Sequence, residues 1–209
     1  MIDICPTITS DNIKSYAEQM ERIVPFAHRI HIDLADGVFT PNKLIDIEDV
    51  WWPGNVRADL HVMYKNPIDY LDLLIALKPQ LIIVQAEANG EFSDFSKRVR
   101  ENGIEAGVAL LPETSPEIIK SGLEFVDHVL IFSGNLGHQG GGKVDFKLLD
   151  KVRKIKELKP SIEVSWDGGV DDQSAVQLVH GGVEVLNVGN FIQDAPDAEK
   201  AYMKLRTLI

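Results

Sequence analysis

A single cysteine, Cys5, is the only thiol among 209 residues, so no disulfide can form within the chain and a cysteine-rich zinc site is excluded. Basic residues are scarce as well: 21 Lys and Arg stand against 32 Asp and Glu, a formal net charge of −11. A surface of that sign is unsuited to nucleic acid or to an anionic membrane, both of which call for positive charge. A phosphorylated small molecule stays open, because one phosphate needs only a pocket of backbone N–H groups. No segment remains apolar long enough to cross a bilayer, and Met1 to Pro6 has no basic leader, so the expected location is the cytoplasm. Low-complexity stretches are missing too, and with 44% hydrophobic residues the chain 1–209 is expected to form one domain around one core.

What is present is a regular alternation. Short runs rich in β-branched and aliphatic residues predict strands at Ile2 to Ile8, Arg29 to Leu34, Arg57 to Val62, Leu81 to Gln85, Glu105 to Leu110, His128 to Phe132, Ile162 to Trp166 and Glu184 to Val188. Helical spacing fills most gaps: Asp11 to Val24, Pro67 to Leu77, Phe92 to Asn102, Pro116 to Gly122, Asp145 to Leu158, Asp172 to His180 and Asp197 to Leu208. The second connection, Leu44 to Pro53, has the weakest helical pattern. Ser10 or Asp11, Asn66-Pro67 and Ser115-Pro116 punctuate helix starts, while Gly103 and Gly181 mark ends. Runs such as Leu81-Ile82-Ile83-Val84 are apolar on both faces, as parallel strands between two layers must be. Eight such units fit an α/β fold, a closed (β/α)₈ TIM barrel, with an open doubly wound sheet as the alternative.

Strand ends of a barrel converge on one face, where active sites form. Strand two closes on His31-Ile32-Asp33, whose period of two puts both polar groups on one face. Strand three adds His61 and strand seven adds Asp167. Two imidazoles and two carboxylates form a mixed N/O set suited to one divalent ion: Zn²⁺, Fe²⁺, Mn²⁺ or Co²⁺. Taken singly, each of these residues reads equally as a structural hydrogen-bonding group or a helix cap. His28, His128 and His180 lack evident partners and read as structural, whereas His138 lies in a glycine-rich loop within reach of a substrate. Glycines follow strands six, seven and eight, with Gly137 and Gly140, Gly168 and Gly169, and Gly189 beside Asn190. Those are the loops where barrels commonly hold phosphate on backbone N–H groups.

From Cys5-Pro6-Thr7-Ile8 almost to its end, the chain resembles the ribulose-phosphate 3-epimerase family, whose barrel is of the ribulose-phosphate-binding type. His31-Ile32-Asp33-Leu34-Ala35-Asp36-Gly37-Val38-Phe39-Thr40-Pro41-Asn42 is similar to the family signature, with Ala35 where a methionine is usual. Asp59-Leu60-His61-Val62-Met63 and Asp167-Gly168-Gly169-Val170 are similar to two further family motifs. Departures are Thr7 for serine, Gln85 for histidine, Phe132 for methionine, Asn190 for serine, Ser165-Trp166 ahead of Asp167, and the loop Asn135 to Gly141, only part of which matches.

The resemblance implies a metal held by His31, Asp33, His61 and Asp167. It implies that Asp33 and Asp167 work from opposite faces of a ketose phosphate, passing through a cis-enediolate whose charge the cation stabilises. Thr7, His61, Gly137, His138, Gly140, Gly168, Gly169, Gly189 and Asn190 would contact substrate, and Met63, Phe132 and Ala35 would line a dry pocket. Ribulose 5-phosphate to xylulose 5-phosphate is the leading reaction, which belongs to pentose phosphate metabolism. Allulose 6-phosphate, favoured by the altered loop, and a non-catalytic phosphosugar-binding role are the alternatives. Aldol-type synthases and decarboxylases of similar shape would call for Asp-x-Lys where this chain has Asp59-Leu60-His61. Family members commonly associate, so a homo-oligomer is expected.

Overall fold

Eight short runs of aliphatic residues pair side by side, all parallel, and close into a barrel: Asp3–Ile8 (β1), Arg29–Ala35 (β2), Arg57–Met63 (β3), Leu81–Gln85 (β4), Glu105–Leu110 (β5), His128–Phe132 (β6), Glu163–Asp167 (β7) and Val185–Val188 (β8). The computed structural model describes residues 2–138, 140 and 142–209. Each strand pairs with its successor and β8 returns to β1, so the barrel has no free sheet edge. The α-helices on its outside are Ile13–Ile23 (α1), Leu71–Ala76 (α2), Phe92–Glu101 (α3), Leu149–Leu158 (α4), Ala175–His180 (α5), Asn190–Gln193 (α6) and Ala198–Leu208 (α7).

Alternation along the strands makes two compartments. On β2, Ile30, Ile32 and Leu34 join the shell packed between strands and helices, so Arg29, His31 and Asp33 face the barrel interior. The middle of that interior is apolar on one side only, where Leu81, Ile83, Ala109, Leu130 and Phe132 cluster on β4 to β6, with the buried polar His128 at the start of β6 and Gln85 at the end of β4. The opposite side carries the polar residues of β1 to β3, β7 and β8.

At the N-terminal end of the barrel the buried Arg29 guanidinium donates from Nε to Asp59 Oδ2 at 2.7 Å, and from Nη1 and Nη2 to Glu163 at 3.1 and 2.8 Å. Nη1 also reaches Asp3 Oδ2 at 3.3 Å. His128 bonds Glu163 Oε2 at 2.7 Å and Ser165 Oγ at 2.6 Å. His128 therefore does have partners; they come from β7, 35 and 37 residues away in sequence. His28 likewise sits 3.3 Å from Asp3.

Several boundaries differ from the sequence reading for identifiable reasons. The connection after β2 forms only a 3₁₀ turn at Ile47–Asp49, and the Pro116 segment is a 3₁₀ stretch running on to Phe125. Asn12, not Ser10 or Asp11, caps α1, its Oδ1 accepting from the Ser15 N–H at 2.9 Å. Gly181 does end α5, as its C-cap, and the left-handed conformation follows at Gly182 (φ 95°). The short α6, starting at Asn190, was not anticipated; Ile192 anchors it in the core.

Candidate active site

The sequence folds so that four polar side chains meet at the C-terminal mouth. In the β2–β3 register Asp33 lies opposite His61, and in the β6–β7 register Asp167 lies opposite Phe132. One ligand atom each from His31, Asp33, His61 and Asp167 falls within 4.8 Å of all the others. His61 Nδ1 stands 3.0 Å from Asp33 Oδ1, and His31 Nε2 stands 3.3 Å from the same oxygen. Both nitrogens are 3.9 Å from Asp167 Oδ2. The loop that follows β2 is held open by Asp36, whose Oδ1 accepts from Val38 and Phe39 N–H at 2.8 Å, and whose Oδ2 accepts from Lys65 N–H at 2.7 Å. Asp36 and Gly37 (φ 72°) are thereby explained as loop builders.

Both carboxylates are buried, yet their protonation behaviour diverges. Burial and the neighbouring Asp33 charge push Asp167 up to about 6, against the weaker pull of the two imidazoles. Burial also disfavours a charged Asp33, but the adjacent imidazoles of His31 and His61 outweigh it and hold this carboxyl well below its ordinary range. His31 is raised above its ordinary value: burial alone would lower it, and Asp33 and Asp167 reverse the sign.

The donor set passes a test of fit for a divalent cation. Both ring nitrogens of His31 are buried without a hydrogen-bond partner among the described residues, and two acidic groups compete for the same small space. A divalent ion would satisfy the ring nitrogen that faces the cluster and cancel the carboxylate repulsion, and N/O donors are the chemistry such ions accept. His31, Asp33, His61 and Asp167 are the residues able to hold it.

Above the cluster opens a cavity of about 340 Å³ lined by Asp33, Met63, Phe132 and Asp167 and by the glycine-rich loops. Thr7, Gly137, His138, Gly140, Gly168, Gly169, Gly189 and Asn190, all expected at a substrate, are on its wall. His61, also expected there, is wholly buried and is not part of the wall. Ala35 is not on the wall either; it packs beneath, with Leu44 and Met63. Gly168 (φ 113°) lets the β7 loop touch the β6 loop through bare backbone, since a Cβ there would lie 2.2 Å from Gly134 N. His138 is tied to the β2 loop through Asn42 Nδ2, 2.7 Å from its Nε2. Residues 139 and 141 of the same loop lie outside the described set.

Sequence reasoning missed several lining residues, Thr9 and Asn187 among them. Thr9 donates from Oγ1 to Asp33 Oδ2 at 2.6 Å; it continues the inward alternation of Cys5 and Thr7, which was the available signal. Asn187 also lines the cavity, and its signal was a lone amide inside the apolar run Val185-Leu186-Asn187-Val188. Gln85, a departure from the family pattern, contacts His61, Nε2 to Nε2, at 2.9 Å.

The sequence model described as "Ribulose-phosphate 3 epimerase family" matches residues 3–193. Among curated relatives, "Ribulose-phosphate 3-epimerase" of Helicobacter pylori strain J99 is 32% identical over 98% of this chain and 97% of its own length. The Bacillus subtilis protein of the same name is 28% identical over 99% of each. Solved structures with the same fold include a 3-hexulose-6-phosphate synthase, at TM-score 0.74 and 16% identity over 100% of both chains. A mutant tryptophan synthase α-subunit from Pyrococcus furiosus follows at TM-score 0.71 and 16% identity, over 100% of this chain and 99% of that one. At such identity the two structures speak only for the barrel.

Proposed function

Because this chain belongs to the ribulose-phosphate 3-epimerase family, an isomerase family, we propose that it inverts C3 of a ketose phosphate, interconverting D-ribulose 5-phosphate and D-xylulose 5-phosphate. Membership in an epimerase family leaves the non-catalytic binding role without support. The observation that carries the reading is the convergence of His31, Asp33, His61 and Asp167 beneath a cavity walled by glycine loops.

In this reading phosphate is held on backbone N–H groups near Gly168, Gly169 and Gly189, beside Asn190 and below His138. That places the reacting carbon over the two carboxylates. One carboxylate, ionised, takes the C3 proton; the electron pair moves into the C2–C3 bond as the carbonyl oxygen becomes anionic, giving an enediolate. The other, protonated, returns a proton to the opposite face. The two carboxyls are inequivalent, as a base and an acid must be: the imidazoles of His31 and His61 keep Asp33 ionised, whereas burial and the Asp33 charge make Asp167 the more basic of the two. His31, Asp33, His61 and Asp167 would hold a divalent cation, which would supply Lewis-acid stabilisation of the negative charge that develops beside them. Thr9 fixes Asp33 Oδ2, and Met63 and Phe132 keep water from the anion. We take residues 1–209 as a single working unit in the cytoplasm, forming a homo-oligomer that light scattering would measure.

A second substrate has its own observation. A cavity of about 680 Å³, lined by Pro41, Leu111 and Leu136, adjoins the first and shares Phe132, His138 and Gly140 with it. That room suits a six-carbon ketose phosphate such as allulose 6-phosphate. Purified protein loaded in turn with Zn²⁺, Mn²⁺, Fe²⁺ and Co²⁺ and offered both sugars, with inversion followed by NMR, decides between them. No inversion of either by any loaded form, with Asp33→Asn indistinguishable from wild type, overturns the proposal.

A further inference from the structure

Two buried polar side chains of the cavity wall, Thr7 and Asn187, have no hydrogen-bond partner for their side chains among the described residues, and Asn187 is the one with both a donor and an acceptor atom unmatched. Its strand neighbours Leu186 and Val188 pack outward into the shell beneath the helices, so alternation turns Asn187 inward. It is 2% exposed and lines the cavity, and neither Oδ1 nor Nδ2 has a hydrogen-bond partner among the described residues. Buried amides ordinarily find protein partners, because an unmatched donor or acceptor in a low-dielectric interior costs free energy. Both of its polar atoms are therefore available to whatever fills the cavity.

Position narrows what that is. In the β7–β8 register Asn187 lies opposite Asp167, level with the carboxylate cluster. Gly189 and Asn190, at the glycine-rich end, come two and three residues later, so the side chain sits roughly 7 Å below that end at the usual strand rise. A group contacting Asn187 is therefore close to the reacting carbon, and the phosphate-side neighbour of that carbon is the one that extends from the carboxylates toward the glycine-rich end. Chemistry narrows it further. An anion would leave Oδ1 unmatched and meet the neighbouring Asp167, and a cation would leave Nδ2 unmatched; a hydroxyl, donor and acceptor at once, matches both atoms.

We infer that Asn187 is a specificity-determining residue that hydrogen-bonds the substrate hydroxyl on the carbon between the reacting carbon and the phosphate-bearing end. The inference rests on the proposed epimerase reading. That carbon keeps its configuration through the reaction, so the contact holds in both epimers and its loss falls on KM more than on kcat.

The experiment compares wild type, Asn187→Val and Asn187→Ala on D-ribulose 5-phosphate and on the analogue lacking the C4 hydroxyl. In wild type, deleting the hydroxyl lowers kcat/KM by about tenfold to a hundredfold, the range for leaving one buried polar group unmatched. In both variants the ratio between the two substrates collapses toward one, with the change carried by KM, while protection by inorganic phosphate and metal content stay at wild-type levels. A variant that is active and discriminates as wild type does overturns the inference, as does a wild type indifferent to the hydroxyl. Unfolding of both variants would mark Asn187 as a core residue and overturn it too. A wild type that inverts no ketose phosphate instead removes the epimerase reading itself, and the inference with it.

Discussion

Replacing Arg29 by methionine isolates the role of the ionic floor of the barrel. The guanidinium is buried, as is Asp59, its partner at 2.7 Å, and Glu163 takes two further bonds from the side facing solvent. Without it, Asp59 is left as a buried charge, and breaking a buried pair from one side costs about 3–5 kcal/mol. The Glu163 contacts add little to that figure, since this carboxylate is 37% exposed and screened by water. For a chain of this size the loss lowers the unfolding midpoint by roughly 6–20 °C, read by thermal circular dichroism and checked by urea titration. Arg29→Met with Asp59→Leu, which removes both charges, should recover most of the loss, because an apolar replacement of a buried pair is often neutral or better. The pH dependence has a definite sign. Burial alone would raise Glu163, but His128 and Arg29 hold it well below the ordinary carboxylate range, so its contribution is present above about pH 4.5 and fades as pH falls. The gap between wild type and Arg29→Met should accordingly be slightly smaller in acid than at neutral pH. A single variant within about 1 kcal/mol of wild type, or a double variant no better than the single, refutes the reasoning.

Three further outcomes follow from the mouth of the barrel. Asp167→Asn should lower inversion by about 10²–10⁴-fold, yet still exchange the C3 hydrogen of one epimer with deuterated water; unchanged inversion would remove Asp167 from the proton path. Apparent metal affinity should weaken as pH falls from the neutral range, because His31, raised above its ordinary value, and Asp167, raised to about 6, must both lose a proton to coordinate; a flat titration between pH 5 and 8 contradicts this. Gly168→Ala puts a Cβ where Gly134 N lies 2.2 Å away and forces a φ of 113° on an L residue. Strain of about 1–3 kcal/mol should appear as a lower midpoint and a higher KM, and wild-type values for both would show that the loops can part.

The barrel and its metal-ligand candidates were legible because they depend on local periodicity. Period two places His31 with Asp33, and short aliphatic runs announce the strands. Two kinds of feature were not. Arg29 and Glu163 are 134 residues apart, and nothing near either names the other. Whether a Pro-led segment winds as an α- or a 3₁₀-helix depends on tertiary fit, as at Gly122, where the Phe92 ring lies 2.7 Å from the place of a Cβ. Asn187 was readable in principle as a polar break in an apolar strand, but its open hydrogen-bonding capacity appears only once the cavity is formed around it.

The interior of the barrel is divided, with aliphatic and aromatic side chains on β4 to β6 facing the titratable groups of the remaining strands. Mutational drift on the greasy wall, at Phe132 or at Leu136 beside it, can change the outline offered to a sugar without disturbing any proton donor or acceptor. Selection for a new substrate therefore has a route that leaves the reaction alone, and a library confined to those positions is where altered sugar preference should first be sought.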